Sequence, residues 1–130
     1  MADVLITEFM DTPAVDLLRK RFPVHHDPSL ADRQDELPGL IAEARAIIVR
    51  NRTQVSAALL AAAPKLEAVG RLGVGLDNID VPACEARGVK VFPATGANAV
   101  AVAEYVMATA LVLVRGSYMS TARLVGGAWP

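Results

Sequence analysis

Cysteine occurs once in the 130 residues, at Cys84, so no disulfide can close within the chain. The start, Met-Ala-Asp-Val, lacks the basic and apolar regions of a secretory signal, and the two observations together lead to the expectation of a cytoplasmic protein. An excess of charge of one sign is lacking as well. Thirteen Lys and Arg face fourteen Asp and Glu, a scattered net −1 that offers no surface for nucleic acid or an anionic membrane. The longest apolar run, Ala99–Val114, is short for a membrane span and contains Glu104, which argues further against spanning. Histidine is confined to the pair His25-His26 beside Asp27. Adjacent strand residues point to opposite faces, so the two imidazoles do not converge on one ion, and no metal site is expected. With no evident partner for it, Cys84 is expected to be a small buried apolar residue.

What is present is apolar. Hydrophobic residues make up 53% of the chain, enough for one ordinary domain with its own core, and fit a parallel sheet covered on both faces. Val4–Phe9 reads as a first strand, and Thr12-Pro13 opens a helix with Thr12 as cap and with Ala14, Leu17 and Leu18 on one apolar face. Val24–His26 is a brief strand at or near an edge. Residues 30–36 are charge-rich and expected to be exposed, after which Leu37–Ala44 reads as helix, Ala46–Val49 as a buried strand, Val55–Ala63 as a helix stopped by Pro64, and Lys65–Leu72 as a strand. Asp80 caps a helix that carries Pro82 in its first turn and ends before Gly88, and Val89–Phe92 is the fifth strand. The fold class implied is α/β: a flavodoxin-like open sheet of five mostly parallel strands with helices on both faces, followed by the long apolar helix Ala99–Val114. Apolar on every side, that helix is expected to be buried on every side, more than one small domain can cover.

Two stretches carry chemistry. In Gly70–Asp80, Gly73 and Gly75 strip side chains from a turn between strand and helix, so that the backbone amides of Val74 and Gly75 can approach an oxyanion. A Gly-x-Gly-x-x-Gly dinucleotide fingerprint is excluded, because Asn78 stands at its third glycine and no acidic residue ends Val89–Phe92. A plain turn with glycine for geometry is the alternative. The second stretch, Arg50-Asn51-Arg52-Thr53, follows the strand Ala46–Val49, and ligand sites of open α/β sheets lie outside the carboxyl ends of strands. Arg50 can clamp a carboxylate or phosphate and Asn51 can orient an oxygen beside it; the alternative is a surface charge and a loop amide. Asp77 and Asn78 read as turn formers.

Gly70–Asp80, followed by Ala94-Thr-Gly-Ala-Asn-Ala-Val-Ala-Val-Ala-Glu104, resembles the amino-terminal part of the D-isomer-specific 2-hydroxyacid dehydrogenases, in particular their phosphoglycerate dehydrogenase branch, and the likeness runs from Val4 to Trp129. The resemblance implies an NAD-dependent oxidation of a D-2-hydroxy acid or the reverse reduction, with NADP not excluded. It implies that the Val74 and Gly75 amides hold the substrate carboxylate and that Arg50 and Asn51 meet the distal group. It places Val74, and Asn98 more weakly, near the cofactor. Arg50 and Thr53 match the branch; Asn51 departs from its Arg-Ser, leaving the identity of the acid open. The family's catalytic arginine, glutamate and histidine come from later sequence, so no catalytic residue is assigned in this chain, and neither His25 nor His26 inherits proton transfer. The resemblance also implies a substrate-binding segment at 1–97, then at 98–130 an interdomain helix and the start of a cofactor domain, with Ala99–Val114 packing in a homodimer.

Two other classes remain for comparison. A standalone module could capture a small organic acid with the same loops and no chemistry. A receiver-like signalling domain is disfavoured, because the first strand does not end in the acidic cluster that would bind Mg²⁺.

Overall fold

Five strands, β1 (Val4–Ile6), β2 (Val24–His26), β3 (Ala46–Val49), β4 (Ala68–Arg71) and β5 (Lys90–Pro93), form one sheet in the order β2-β1-β3-β4-β5. Every pairing is parallel, so all five carboxyl ends open on one edge. The computed structural model describes residues 2–116 and 120–129. It divides into two compact units, residues 1–95 and 96–130.

The alternation of side chains along the strands decides which helix covers which face. Val4 and Ile6 join Ile48 against Val15 of α1 (Thr12–Arg19), whereas Leu5, Ile47, Val49 and Val69 point the other way. There they meet Ile41 of α2 (Leu37–Ile41), Leu59 and Leu60 of α3 (Ala57–Ala61) and Cys84 of α4 (Val81–Ala86). Burying a side chain such as Ile47 or Leu60 contributes about 1.5–3 kcal/mol, and this second cluster is the larger of the two. Cys84 is fully buried, as its composition suggested, and burial raises its thiol pKa.

Several boundaries differ from the sequence reading. β1 stops at Ile6: Thr7 is buried and its amide still donates to Ile48 O at 3.2 Å, Glu8 is buried with its carboxylate on the loop after Val49, and Phe9 is 61% exposed. Thr12 is not a cap, since Asp11 stands at that position and neither side chain bonds a helix amide. Val15, not Leu17, anchors α1; Leu17 is exposed and Leu18 only partly buried. Residues 30–36 are not uniformly exposed, because the first of two 3-10 turns, Pro28–Ala31, tucks Leu30 and Ala31 into the interior, while the second, Gln34–Glu36, buries none of its residues. α2 ends at Ile41, short of Ala44. α3 begins after Ser56, whose hydroxyl accepts the Leu59 amide, since Val55 is drawn into a bridge with Ile79. β4 is confined to Ala68–Arg71 within the longer stretch expected. Asp80 does cap α4, accepting the Ala83 amide at 3.0 Å, and Gly88 follows its end at φ 70°.

In the second unit, α5 (Ala99–Arg115) is one helix of 17 residues that ends on Gly116 in the left-handed region. In the chain by itself none of the helix residues is buried, and Val100, Tyr105 and Val114 are among the most exposed apolar side chains; the expectation that it is buried on every side called for cover by a second domain or subunit. Asn98 occupies its N-cap position without bonding a helix amide through its side chain. A short helix, α6 (Thr121–Val125), follows. The weakly helical reading of Ser117–Pro130 falls partly outside the described residues. Among those residues no helix is long and apolar enough to cross a membrane.

Candidate functional site

The sheet order places the topological switch between β1 and β3, where the chain leaves one side of the sheet and resumes on the other. Their carboxyl ends release Thr7-Glu8-Phe9 and Arg50–Thr53. A cleft of about 310 Å³ opens there, lined by Phe9, Met10, Asp11, Ala14, Arg50 and Leu72. Val49 pairs with Arg71 across β3 and β4, and Leu72 donates its amide to Val49 O at 2.8 Å, so register brings the loop after β4 alongside Arg50.

That second loop is pinned at its start and open at its tip. Gly73 donates to Arg71 O at 2.8 Å, and its own carbonyl accepts the Ala94 amide at 3.0 Å. The next two amides, Val74 and Gly75, have no acceptor among the described residues, and both residues are exposed. Successive amides of this kind form an anion-binding concavity. Arg71 lies against it, with no side-chain hydrogen bond or ion pair among the described residues and its Nε buried without a partner. A Cβ on Gly73 would stand 1.6 Å from Arg71 Nη1, so the glycine makes room for a guanidinium.

The loop after β3 has the same chemistry with the opposite outcome. The amides of Arg50, Asn51, Arg52 and Thr53 all point at one carboxylate, that of Glu8. Arg50 and Thr53 reach Oε1 at 2.8 and 3.1 Å, Asn51 reaches Oε2 at 3.2 Å, and Arg52 donates to both oxygens. Glu8 is 4% exposed, and while burial alone would raise its pKa, these backbone bonds outweigh burial and hold the carboxyl below the usual range. One anion nest is thus filled from within, and its neighbour is left open.

The two loops are tied together. Asn78, buried, donates through Nδ2 to Thr53 O at 2.7 Å, and the backbones of Val55, Asn78 and Asp80 bond reciprocally. Thr53 Oγ1 shares a 2.8 Å hydrogen bond with Thr7 Oγ1. Thr53 is therefore internal bracing. Arg52 is occupied by Asp32, whereas Arg50 and Asn51 are exposed with no side-chain bond among the described residues. His25 is exposed; His26 sits 3.2 Å from Glu8 O through Nε2.

Sequence reasoning brought Arg50, Asn51, Val74 and Gly75 to one edge of the first unit but missed Glu8, Arg71 and the bracing role of Asn78. A signal for Glu8 was present: a lone acid at the end of an apolar β-prone run, at the edge where such sheets bind ligands. Asn98 belongs to the second unit.

A profile of the D-isomer specific 2-hydroxyacid dehydrogenase catalytic domain matches residues 4–124. The chain belongs to that family. It is 54% identical, over all of its 130 residues and 42% of the relative, to (S)-sulfolactate dehydrogenase of Chromohalobacter salexigens. It is 45% identical, over 74% of this chain and 18% of the relative, to D-3-phosphoglycerate dehydrogenase of Mycobacterium tuberculosis H37Rv. The fold is that of the 2-hydroxyacid dehydrogenase of Ketogulonicigenium vulgare Y25, at a TM-score of 0.78 and 28% identity over all of this chain and 43% of that one. Solved structures alike in fold alone include dehydrogenases with NAD bound, at TM-scores of 0.69 and 0.66. The family member described here thus spans less than half the length of the relatives it matches.

Proposed function

We propose that this chain is the substrate-recognition part of an NAD-dependent D-2-hydroxyacid dehydrogenase acting on a three-carbon acid with a second anionic group at C3. The observation that carries the reading is the pair of amides at Val74 and Gly75, with no acceptor among the described residues, beside two guanidiniums, Arg50 and Arg71, that have no carboxylate partner among those residues. The amides take the substrate carboxylate. Arg50, with Asn51 beside it, takes the distal group in two-point fashion.

The relatives support this choice of substrate class. 3-Phosphoglycerate and sulfolactate are both 2-hydroxy acids of three carbons with an anion on C3. Their descriptors also agree in space: sulfur on C3 outranks the carboxyl carbon, so the (S) arrangement of sulfolactate is the arrangement of D-3-phosphoglycerate. A site built for one handedness admits both.

In the reaction, hydride passes between C2 of the acid and the nicotinamide, which supplies the redox chemistry when bound. This chain's residues bind and orient the acid, which lowers the entropic part of the barrier. Val74, on the substrate loop, and Asn98, at the start of α5, are the positions proposed to lie toward the cofactor, and the catalytic arginine, glutamate and histidine are proposed to come from the rest of such an enzyme. Calorimetric titration of the chain with 3-phosphoglycerate and with sulfolactate tests the reading. Binding that weakens about ten- to a hundredfold in Arg50→Ala supports it, because hydrogen bonds to charged groups contribute about 1.5–3 kcal/mol. Binding of neither acid by the unaltered chain contradicts it.

A further inference from the structure

Glu8 does not line the cleft, yet it holds the loop whose Arg50 does. Its residue is 4% exposed, and its two oxygens accept the amides of four consecutive residues, with His26 at its carbonyl and the Thr7–Thr53 hydroxyl pair beside it. A carboxylate that accepts the Arg50 amide at 2.8 Å could also pair with the Arg50 guanidinium. Glu8 makes no ion pair with Arg50, because its lone pairs are saturated by backbone donors. The loop is held and the guanidinium is left without a carboxylate partner among the described residues.

We infer that Glu8 is a positioning residue for substrate: its buried carboxylate fills the nest formed by Arg50–Thr53 and so fixes the point from which the Arg50 guanidinium reaches the distal anion. The inference rests on the substrate reading above. The loop has no helix or strand of its own across Arg50–Thr53, so its conformation is set by the Glu8 carboxylate along its length, with the Asn78 bond to Thr53 O at its far end. Glutamine cannot replace Glu8, since its NH₂ group would face amides that are themselves donors. Aspartate keeps the charge but draws it back by one methylene.

The test compares two acids that differ only in the distal anion, 3-phosphoglycerate and D-glycerate, by titration of the folded chain. Glu8→Gln is expected to weaken 3-phosphoglycerate about tenfold, the scale of one charge-assisted contact, while D-glycerate changes about twofold or less. The double variant Glu8→Gln with Arg50→Ala should bind 3-phosphoglycerate no more weakly than Arg50→Ala alone, because Glu8 acts through Arg50. If Glu8→Gln does not fold, Glu8→Asp carries the same expectations. Equal weakening of both acids, or additive losses in the double variant, overturns the inference and marks Glu8 as a general brace. If the unaltered chain binds 3-phosphoglycerate and the Glu8 variants match it, only the inference falls. If the unaltered chain binds neither acid, the substrate reading falls with it.

Discussion

At the scale of residues, the account turns on how two adjacent nests are treated. Glu8 supplies an internal anion to one, and its hydrogen bonds place its pKa below the ordinary 4.5. The unfolded chain therefore binds a proton at Glu8 that the folded chain does not, in the window between its folded pKa and 4.5. Its contribution to stability is complete above that window and disappears as pH falls through the folded pKa. Urea denaturation of the unaltered chain and of Glu8→Gln should show a gap at neutral pH that narrows below pH 4.5. A gap that is constant with pH would show that the carboxylate charge contributes nothing. Glu8 was not legible as a brace in the sequence because its partners lie 42 to 45 residues away. Arg50 and the Val74-Gly75 pair were legible because position after a strand and the spacing of glycines are local signals.

At the scale of elements, caps separate what local sequence decides from what packing decides. Asp80 accepts the Ala83 amide, so Asp80→Ala should cost about 0.5–2 kcal/mol. Thr12 was the equally plausible cap on sequence grounds, yet it bonds no helix amide, and Thr12→Ala should change stability by less than about 0.5 kcal/mol. Thermal or urea unfolding of the two variants checks the contrast; equal losses would contradict it. The strands and helices were legible from apolar runs bounded by Pro, Gly and capping residues. Their ends were not, because tertiary bonds intervene: Val55 leaves α3 to bridge Ile79, and beyond β1 the Glu8 carboxylate takes the Arg50–Thr53 amides. Leu30 and Ala31 were concealed by the charges around them, although a 3-10 turn can bury two apolar residues within a charged stretch.

At the scale of the whole molecule, the sheet, its parallel order and its family were legible, since several separated motifs agree with one another. What covers α5 was not. Its 17 residues include exposed Val100, Tyr105, Met107, Leu113 and Val114, an exposed apolar surface of the kind that marks interaction sites. The proposal that this helix pairs in a homodimer predicts a concentration-dependent dimer in sedimentation velocity, which Met107→Lys with Leu113→Lys converts to monomer. A chain that is monomeric at all concentrations, or unaffected by the two lysines, contradicts it. In the proposed reading the residues that take the acid all lie in the first unit, so the lysines should leave the affinity for 3-phosphoglycerate unchanged. The amides of Val74 and Gly75, at the tip of the loop after β4, are the proposed centre of that recognition. Amide-resolved NMR of the ¹⁵N-labelled chain, titrated with 3-phosphoglycerate, observes them directly: the largest saturable shifts should fall on Val74 and Gly75, with those of Arg50–Thr53 next. Saturable shifts elsewhere with Val74 and Gly75 unmoved would contradict the account.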